Sequence, residues 1–164
     1  YVGVLGNARL QVLPAWEPLF RRMPEDVPRI ATDGVKWNRA YQKKHGITTA
    51  AAKDLPEGVA QRLPHLAKRI YRVLQLSGYV RLDFRLDAEG RLYVLEANPN
   101  PQLARDEDFA DSAKHAGMSY EALIQRILML GLQFAPTGDG ERGGGRCPGR
   151  ARGAGAGVQG VARD

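Results

Sequence analysis

The chain has 164 residues, with 24 Lys and Arg against 18 Asp and Glu for a net charge of +6, and a single cysteine. That length suits one globular domain plus a tail and leaves little for a second core, while the charge is compatible with an anionic ligand such as a nucleotide without requiring one. Cys147 has no partner for an internal disulfide and no clustered histidines accompany it, so a reducing, cytoplasmic setting is expected; no apolar run approaches the ~20 residues of a membrane span, and no signal-peptide pattern opens the chain.

Tyr1 is not methionine, and Tyr1 to Leu5 (YVGVL) reads as a strand in progress, so the chain is expected to begin inside a longer reading frame or after processing. Tyr1 to Val12 holds two short apolar runs around Gly6 and Asn7, which predicts a β-hairpin. Prolines at 14, 18, 24 and 28 argue against regular structure from Leu13 to Pro28. Arg29 to Pro56 lacks sustained periodicity and contains the basic, aromatic stretch VKWNRAYQKKHG from Val35 to Gly46. A connection of that length inside a domain reads as a functional lid.

Val59, Leu63, Leu66, Ile70, Val73 and Leu74 fall on one face of a helix predicted from about Glu57 to Leu76, stopped by Gly78 and kinked or restarted at Pro64. Tyr79 to Leu86 and Arg91 to Ala97 read as strands joined by Asp87 to Gly90. A last helix is predicted from an N-cap at Ser119 to about Leu130, with Leu123, Ile124, Ile127 and Leu128 inward and Gly131 as its stop. Beyond Phe134 the composition turns to Gly, Arg, Ala and Pro with almost nothing to bury, so a folded portion over 1–134 and a disordered tail over 135–164 are expected. The tail lacks the interleaved aromatics that stack bases, which disfavours nucleic-acid binding.

A four-residue loop at Asp87 to Gly90 would set Leu86 opposite Arg91, and hence Phe84 opposite Tyr93, Leu82 opposite Leu95 and Val80 opposite Ala97 on a uniformly apolar core side. The other side would place Arg81 opposite Glu96 with Asp83 diagonal to it, ~7–8 Å away at the backbone, and Asn98 further along. Two carboxylates and an amide oxygen are hard ligands suited to Mg²⁺. A charged, solvated outer face with an Arg81–Glu96 ion pair accounts for the same residues.

The segments GYVRLDFRLDAEGRLYVLEANPNPQL, from Gly78 to Leu103, and AGMSYEALIQRIL, from Ala116 to Leu128, resemble the C-terminal end of the D-alanine–D-alanine ligase family within the ATP-grasp superfamily. The resemblance extends loosely from Tyr1 to about Leu132. It implies an α+β fold, the ATP-grasp C-terminal subdomain built as an antiparallel sheet with packed helices. That fold is incomplete here, since the lysines, glycine-rich loop and ribose-binding acid of the first subdomain are expected before Tyr1, together with an N-terminal domain.

By the same resemblance Asp83, Glu96 and Asn98 correspond to the ligands of Mg²⁺ (or Mn²⁺) bridging the ATP phosphates, and Arg81 to the catalytic cation facing the transferred phosphoryl group. Lys36 resembles the mobile-loop lysine that reaches the terminal phosphate, and Leu95 a residue packed against adenine, although by parity Leu95 is equally a core residue. The implied activity is an ATP- and Mg-dependent carboxylate–amine ligase working through an acyl phosphate, joining small acid and amine substrates, amino acids among them, in peptidoglycan biosynthesis. The chain alone is expected to be inactive. Dimers are common in the family, so a homodimer is an assembly the resemblance allows.

The family usually follows its Asn with Pro-Gly and hydroxyl residues, whereas Asn98 is followed by Pro99, Asn100, Pro101, Gln102, Leu103, Ala104 and Arg105. Gln102 could still offer a backbone donor to an oxyanion, and Arg105 stands as a replacement for substrate-carboxylate binding or as a solvated charge beside Asp106, Glu107 and Asp108. The readings that stay open beside a D-alanine ligase are an ATP-grasp ligase for a different acid and amine and a non-catalytic nucleotide-binding module.

Overall fold

Val2 and Val4 alternate with Gly3 along the first strand as Val80 and Leu82 alternate with Arg81 in another, and this period of two builds the central sheet. The computed structural model describes residues 1–134 apart from 25, 28, 29, 31, 33, 34, 36 and 37. Lys36 and the tail over 135–164 therefore lie outside the described residues. In chain order the elements are β1 (Val2–Leu5), β2 (Gln11–Val12), β3 (Trp16–Phe20), α1 (Arg39–His45), β4 (Ile47–Ala51), α2 (Val59–Val73), β5 (Tyr79–Leu86), β6 (Leu92–Asn98), α3 (Asp108–His115) and α4 (Tyr120–Leu132).

Strands β2, β1, β5 and β6 lie in that order in one antiparallel sheet, with β3 and β4 forming a separate antiparallel pair. The two faces of the larger sheet are packed differently. Val2, Val4, Val80 and Leu82 meet Leu63, Ala67 and Tyr71 of α2 on one face. Leu5 on the other face joins Leu13, Phe109, Ala110, Ala113 and Leu123, so α3 and α4 cover that side. Among the described residues no helix is long and apolar enough to cross a membrane.

The expected hairpin at Tyr1 to Val12 forms, and Ser119 caps α4 by accepting from the Ala122 N–H at 3.2 Å. Several expectations are corrected. Leu13 to Pro28 holds β3 despite Pro18, which stands opposite Thr49 in a two-stranded sheet. Every strand of such a sheet has an open edge, and a proline that faces it forfeits no ladder bond. Arg29 to Pro56 holds α1 and β4. The Asn38 side chain accepts from the Tyr41 N–H, and Gly46 in the left-handed conformation closes the helix.

Helix α2 runs through Pro64 as one element, and its buried stripe is Val59, Leu63, Ala67 and Tyr71, every fourth residue. Val73 and Leu74, expected on that face, are exposed. In α4 only Leu123 is buried and Ile127 packs partly, while Ile124 and Leu128 are exposed. The helix also continues through Gly131, because a helical glycine with open space around it costs only about 1 kcal/mol relative to alanine. Helix α3 was not expected: its buried face is Phe109, Ala110, Ser112 and Ala113, too small and too short a pattern to stand out from an acidic run.

The turn after β1 is pinned from the far side of the core. The Tyr71 hydroxyl donates to the Gly6 carbonyl at 2.5 Å, and burial pushes that phenol up to about 12. Gly6 has φ 137°, where a Cβ would fall 2.0 Å from the Arg9 carbonyl oxygen, so only glycine fits. Replacing Tyr71 by Phe strands a buried carbonyl acceptor and is expected to lower the unfolding free energy by roughly 1–3 kcal/mol, read as a lower urea midpoint with an unchanged m-value.

Candidate functional site on the β5–β6 hairpin

Asp87 sets the geometry of the hairpin. Its carboxylate accepts from the backbone N–H of Glu89 at 3.1 Å and of Arg91 at 2.8 Å, from Arg91 Nε at 2.6 Å and from the Tyr93 hydroxyl at 3.3 Å. The Arg91 carbonyl in turn accepts from the Asp87 N–H at 3.1 Å, which lengthens the connection by one residue and puts Leu86 opposite Leu92 rather than Arg91. A β-bulge then intervenes, so that Phe84 faces Val94 while Asp83 faces Glu96.

These two one-residue offsets correct the expected pairs. Leu82 stands opposite Ala97 and not Leu95, Phe84 opposite Val94 and not Tyr93, and Arg81 opposite Asn98 and not Glu96. Because the offsets sum to two, the alternation is restored beyond the bulge and Arg81, Asp83, Glu96 and Asn98 still share one face. Leu95 sits in the bulge at 67% exposure, which removes it from the core.

On that face Arg81 and Asp83 form a bidentate pair, Nε to Oδ1 at 2.8 Å and Nη2 to Oδ2 at 3.0 Å. The guanidinium is held fully charged: partial burial acts downward on its pKa, and the hydrogen-bonded Asp83 carboxylate, with Glu96 and Tyr1 behind it, more than offsets this. Glu96 thus reaches Arg81 through its field, and the direct ion pair is with Asp83. Arg81 Cζ also lies 5.6 Å from the centroid of the Tyr1 ring. Further along the same face, Asn98 Oδ1 accepts from the Asn100 N–H at 2.9 Å, and Asn100 Oδ1 accepts from the Tyr79 hydroxyl at 2.7 Å, which ties the loop after β6 back to β5.

The donor set offered to a metal is oxygen only: two carboxylates directly opposed, and an amide oxygen two residues along the same strand. Among the described residues no group of three or more His, Cys, Asp or Glu is gathered, as a structural zinc site would require. The chemistry fits Mg²⁺, which takes one or two carboxylates and fills its remaining positions with water and phosphate oxygens. Asp83 would then share its oxygens between the cation and Arg81.

Gln102 is exposed, and Arg105 is engaged elsewhere. Its Nη2 donates to Glu121 Oε1 at 2.6 Å and its Cζ stacks 4.3 Å from the Tyr120 ring centroid at the start of α4, beside a groove of about 430 Å³. A larger groove of about 620 Å³ runs between β3 and the far end of the hairpin, lined by Trp16, Phe20, Phe84 and Leu92, and none of the four hairpin-face residues borders it. Sequence reasoning missed Tyr1, whose alternation along β1 with Gly3 opposite Arg81 could have placed it on the site's face.

A family model described as D-ala D-ala ligase C-terminus matches residues 1–129. The chain belongs to this ligase family. Among relatives in it, the D-alanine–D-alanine ligase of Carboxydothermus hydrogenoformans is 34% identical over 131 residues, covering 79% of this chain and 38% of the relative. That of Bordetella petrii is 43% identical over 75 residues, 46% of this chain and 23% of the relative. The chain thus spans well under half the length of these curated ligases. The solved D-alanine–D-alanine ligase of Bacillus anthracis complexed with ATP superimposes with a TM-score of 0.58 at 20% identity, over 80% of this chain and 36% of that one. VanG D-Ala:D-Ser ligase of Enterococcus faecalis gives 0.56 at 20% identity, over 79% and 34%. The α+β architecture described above is therefore the ATP-grasp C-terminal fold of the D-alanine ligases.

The hydrogen bonds that Asp87 accepts favour its charged form and hold its carboxyl below the usual range, outweighing a desolvation effect of opposite sign. A depressed folded-state pKa stabilises the hairpin above the unfolded value, and the benefit is lost as pH falls through the lowered one. Acidification below the ordinary aspartate range is therefore expected to loosen the Asp87–Arg91 loop, as followed by the amide resonances of Glu89 and Arg91, and Asp87→Asn should flatten that titration.

Proposed function

We propose that this chain supplies the metal- and phosphate-binding face of an ATP-dependent carboxylate–amine ligase of the D-alanine–D-alanine type, with residues 1–134 as its ATP-grasp C-terminal portion. The observation that carries the reading is the direct opposition of Asp83 and Glu96 beside the opposed pair Arg81 and Asn98 on one sheet face. In the reaction a substrate carboxylate attacks the γ-phosphorus of ATP, giving an acyl phosphate and ADP; an amine then attacks the acyl carbon, phosphate leaves, and an amide forms. Mg²⁺, when bound, neutralises phosphate charge and aligns the terminal phosphoryl group for transfer.

The residues of this chain divide the remaining work. Asp83, Glu96 and Asn98 hold the cation. Arg81, kept charged and oriented by its bidentate contact with Asp83, presents a preorganised guanidinium to the negative charge that develops on the transferred group. Leu95, exposed in the bulge next to Glu96, offers an apolar surface to the adenine, and Lys36 is assigned to the terminal phosphate by resemblance. The loop after Asn98 borders the acceptor site. Its departure from the family's pattern at Gln102, together with the engagement of Arg105 by Glu121, favours an amine other than D-alanine as the second reading.

Calorimetric titration of Mg-ATP and Mg-ADP into this chain tests the proposal. Binding is expected to require Mg²⁺ and to fall at least tenfold in Glu96→Gln, in line with losing a charge-assisted contact. Binding that persists unchanged in that variant, or that ignores Mg²⁺, overturns the assignment of this face.

A further inference from the structure

The register that sets Arg81 opposite Asn98, continued by two residues, brings Tyr79 opposite Asn100. The backbone ladder stops at Asn98, since Pro99 and Pro101 have no N–H to donate and each proline holds the asparagine before it near extended conformations. A side-chain bond takes over where the ladder ends: the Tyr79 hydroxyl donates to Asn100 Oδ1 at 2.7 Å. Asn100 in turn donates its backbone N–H to Asn98 Oδ1 at 2.9 Å. Pro101, next along the loop, is buried.

Only the oxygen end of an amide accepts an N–H, so the Asn100 N–H fixes the Asn98 side chain with its oxygen, and not its NH₂, at this position. The oxygen keeps a second lone pair for a cation, whereas a flipped amide would present two donors and repel one. Tyr79 itself is well anchored. The alternation of β5 puts it on the face of Arg81 and Asp83, where it packs partly against the cluster of Leu5, Phe109 and Leu123, its ring edge-on to Phe109 of α3 with centroids 5.9 Å apart. Helix α3 is tied to the chain around the small sheet, where Thr49 Oγ1 donates to Asp108 Oδ1 at 2.5 Å and Ser112 Oγ to the Pro14 carbonyl at 2.8 Å.

We propose that Tyr79 is a positioning residue that acts through Asn100 to orient the amide oxygen of Asn98. The functional weight of this role rests on the reading of Asn98 as a ligand of Mg²⁺; the orientation itself does not. Two hydrogen bonds in series, from the Tyr79 hydroxyl to the Asn100 side chain and from the Asn100 N–H to the Asn98 oxygen, put the third metal donor under the control of the neighbouring strand. The opposed carboxylates Asp83 and Glu96 stand outside that series.

Tyr79→Phe removes the hydroxyl and keeps the ring against Phe109. On the full chain without metal it is expected to displace the Asn98 side-chain NH₂ resonances and to speed amide hydrogen exchange at Asn100 roughly two- to tenfold, the scale of one hydrogen bond between neutral groups, with exchange along β5 unchanged. Asn100→Ala keeps the N–H and removes the hydroxyl's partner, so it should reproduce both changes, and adding Tyr79→Phe to it should change nothing further. Asn98 resonances unmoved in Tyr79→Phe, or a Tyr79→Phe effect undiminished in the Asn100→Ala background, overturn the proposal; the second result is what a tyrosine that merely packs the core would give.

Titration of Mg-ADP separates the positioning from the reading it serves. The Mg²⁺ concentration at half-saturation is expected to rise roughly two- to tenfold in Tyr79→Phe and to be indifferent to that change in an Asn98→Ala background. A half-saturation unmoved in Tyr79→Phe, or an equal rise in both backgrounds, overturns the role at the metal. Where the unaltered chain shows no Mg-dependent binding, the metal reading fails for this chain, and the Asn98 resonances decide the positioning by themselves.

Discussion

Strand β5 must serve two masters at a spacing of one residue. Val80 and Leu82 are fully buried against α2, and Arg81 and Asp83 face the other way, where α3 and α4 cover part of the sheet and leave the charged pair only partly enclosed. Pleating fixes this division, since a slip of one residue would bury a guanidinium and a carboxylate and expose two core residues. The site is therefore as rigid as the core beneath it. A bidentate pair at about one quarter exposure then gives Arg81 an orientation that solvent would otherwise blur.

The shared face was legible in the sequence because alternation is a property of parity, and parity survived errors that the pairing did not. The four-residue loop was one residue too short, since the hydrogen bonding of Asp87 across to Arg91 is a feature of side-chain geometry that composition does not announce. The bulge was invisible for a similar reason: nothing in YVLEAN distinguishes Leu95 from its neighbours until a partner strand is in place. The two omissions cancelled at Asp83 and Glu96, and they did not cancel at Tyr93 and Leu95.

The elements that escaped the sequence share a cause. Strands β3 and β4 are stabilised by each other across about thirty residues, and β3 contains a proline that counts against a strand everywhere except at an open edge. Helix α3 hides its apolar face in two alanines, a serine and one phenylalanine, and its neighbours rather than its propensity make it a helix. Helix α4 shows the reverse, because its periodicity was plain and yet Ile124 and Leu128 do not face the core. Periodicity says that a helix has sides. It does not say which neighbour takes which side. The hairpin face was recoverable because it depends on local order, whereas the reach of α3 to Thr49 and Pro14 depends on tertiary contacts alone.

The bulge at Leu95 has one more effect. Strand β6 is an outer strand of the larger sheet and carries Tyr93, Val94 and Leu95 exposed in a row, the composition of a sticky edge. A flat strand of this kind would template the addition of another chain along its free amides and carbonyls. By breaking the ladder in mid-strand and placing Glu96 immediately after it, the bulge deprives an incoming strand of a straight run to pair with, and the opposite edge, β2, is only two residues long. The irregularity that arranges the acidic face also makes this edge a poorer template for strand addition.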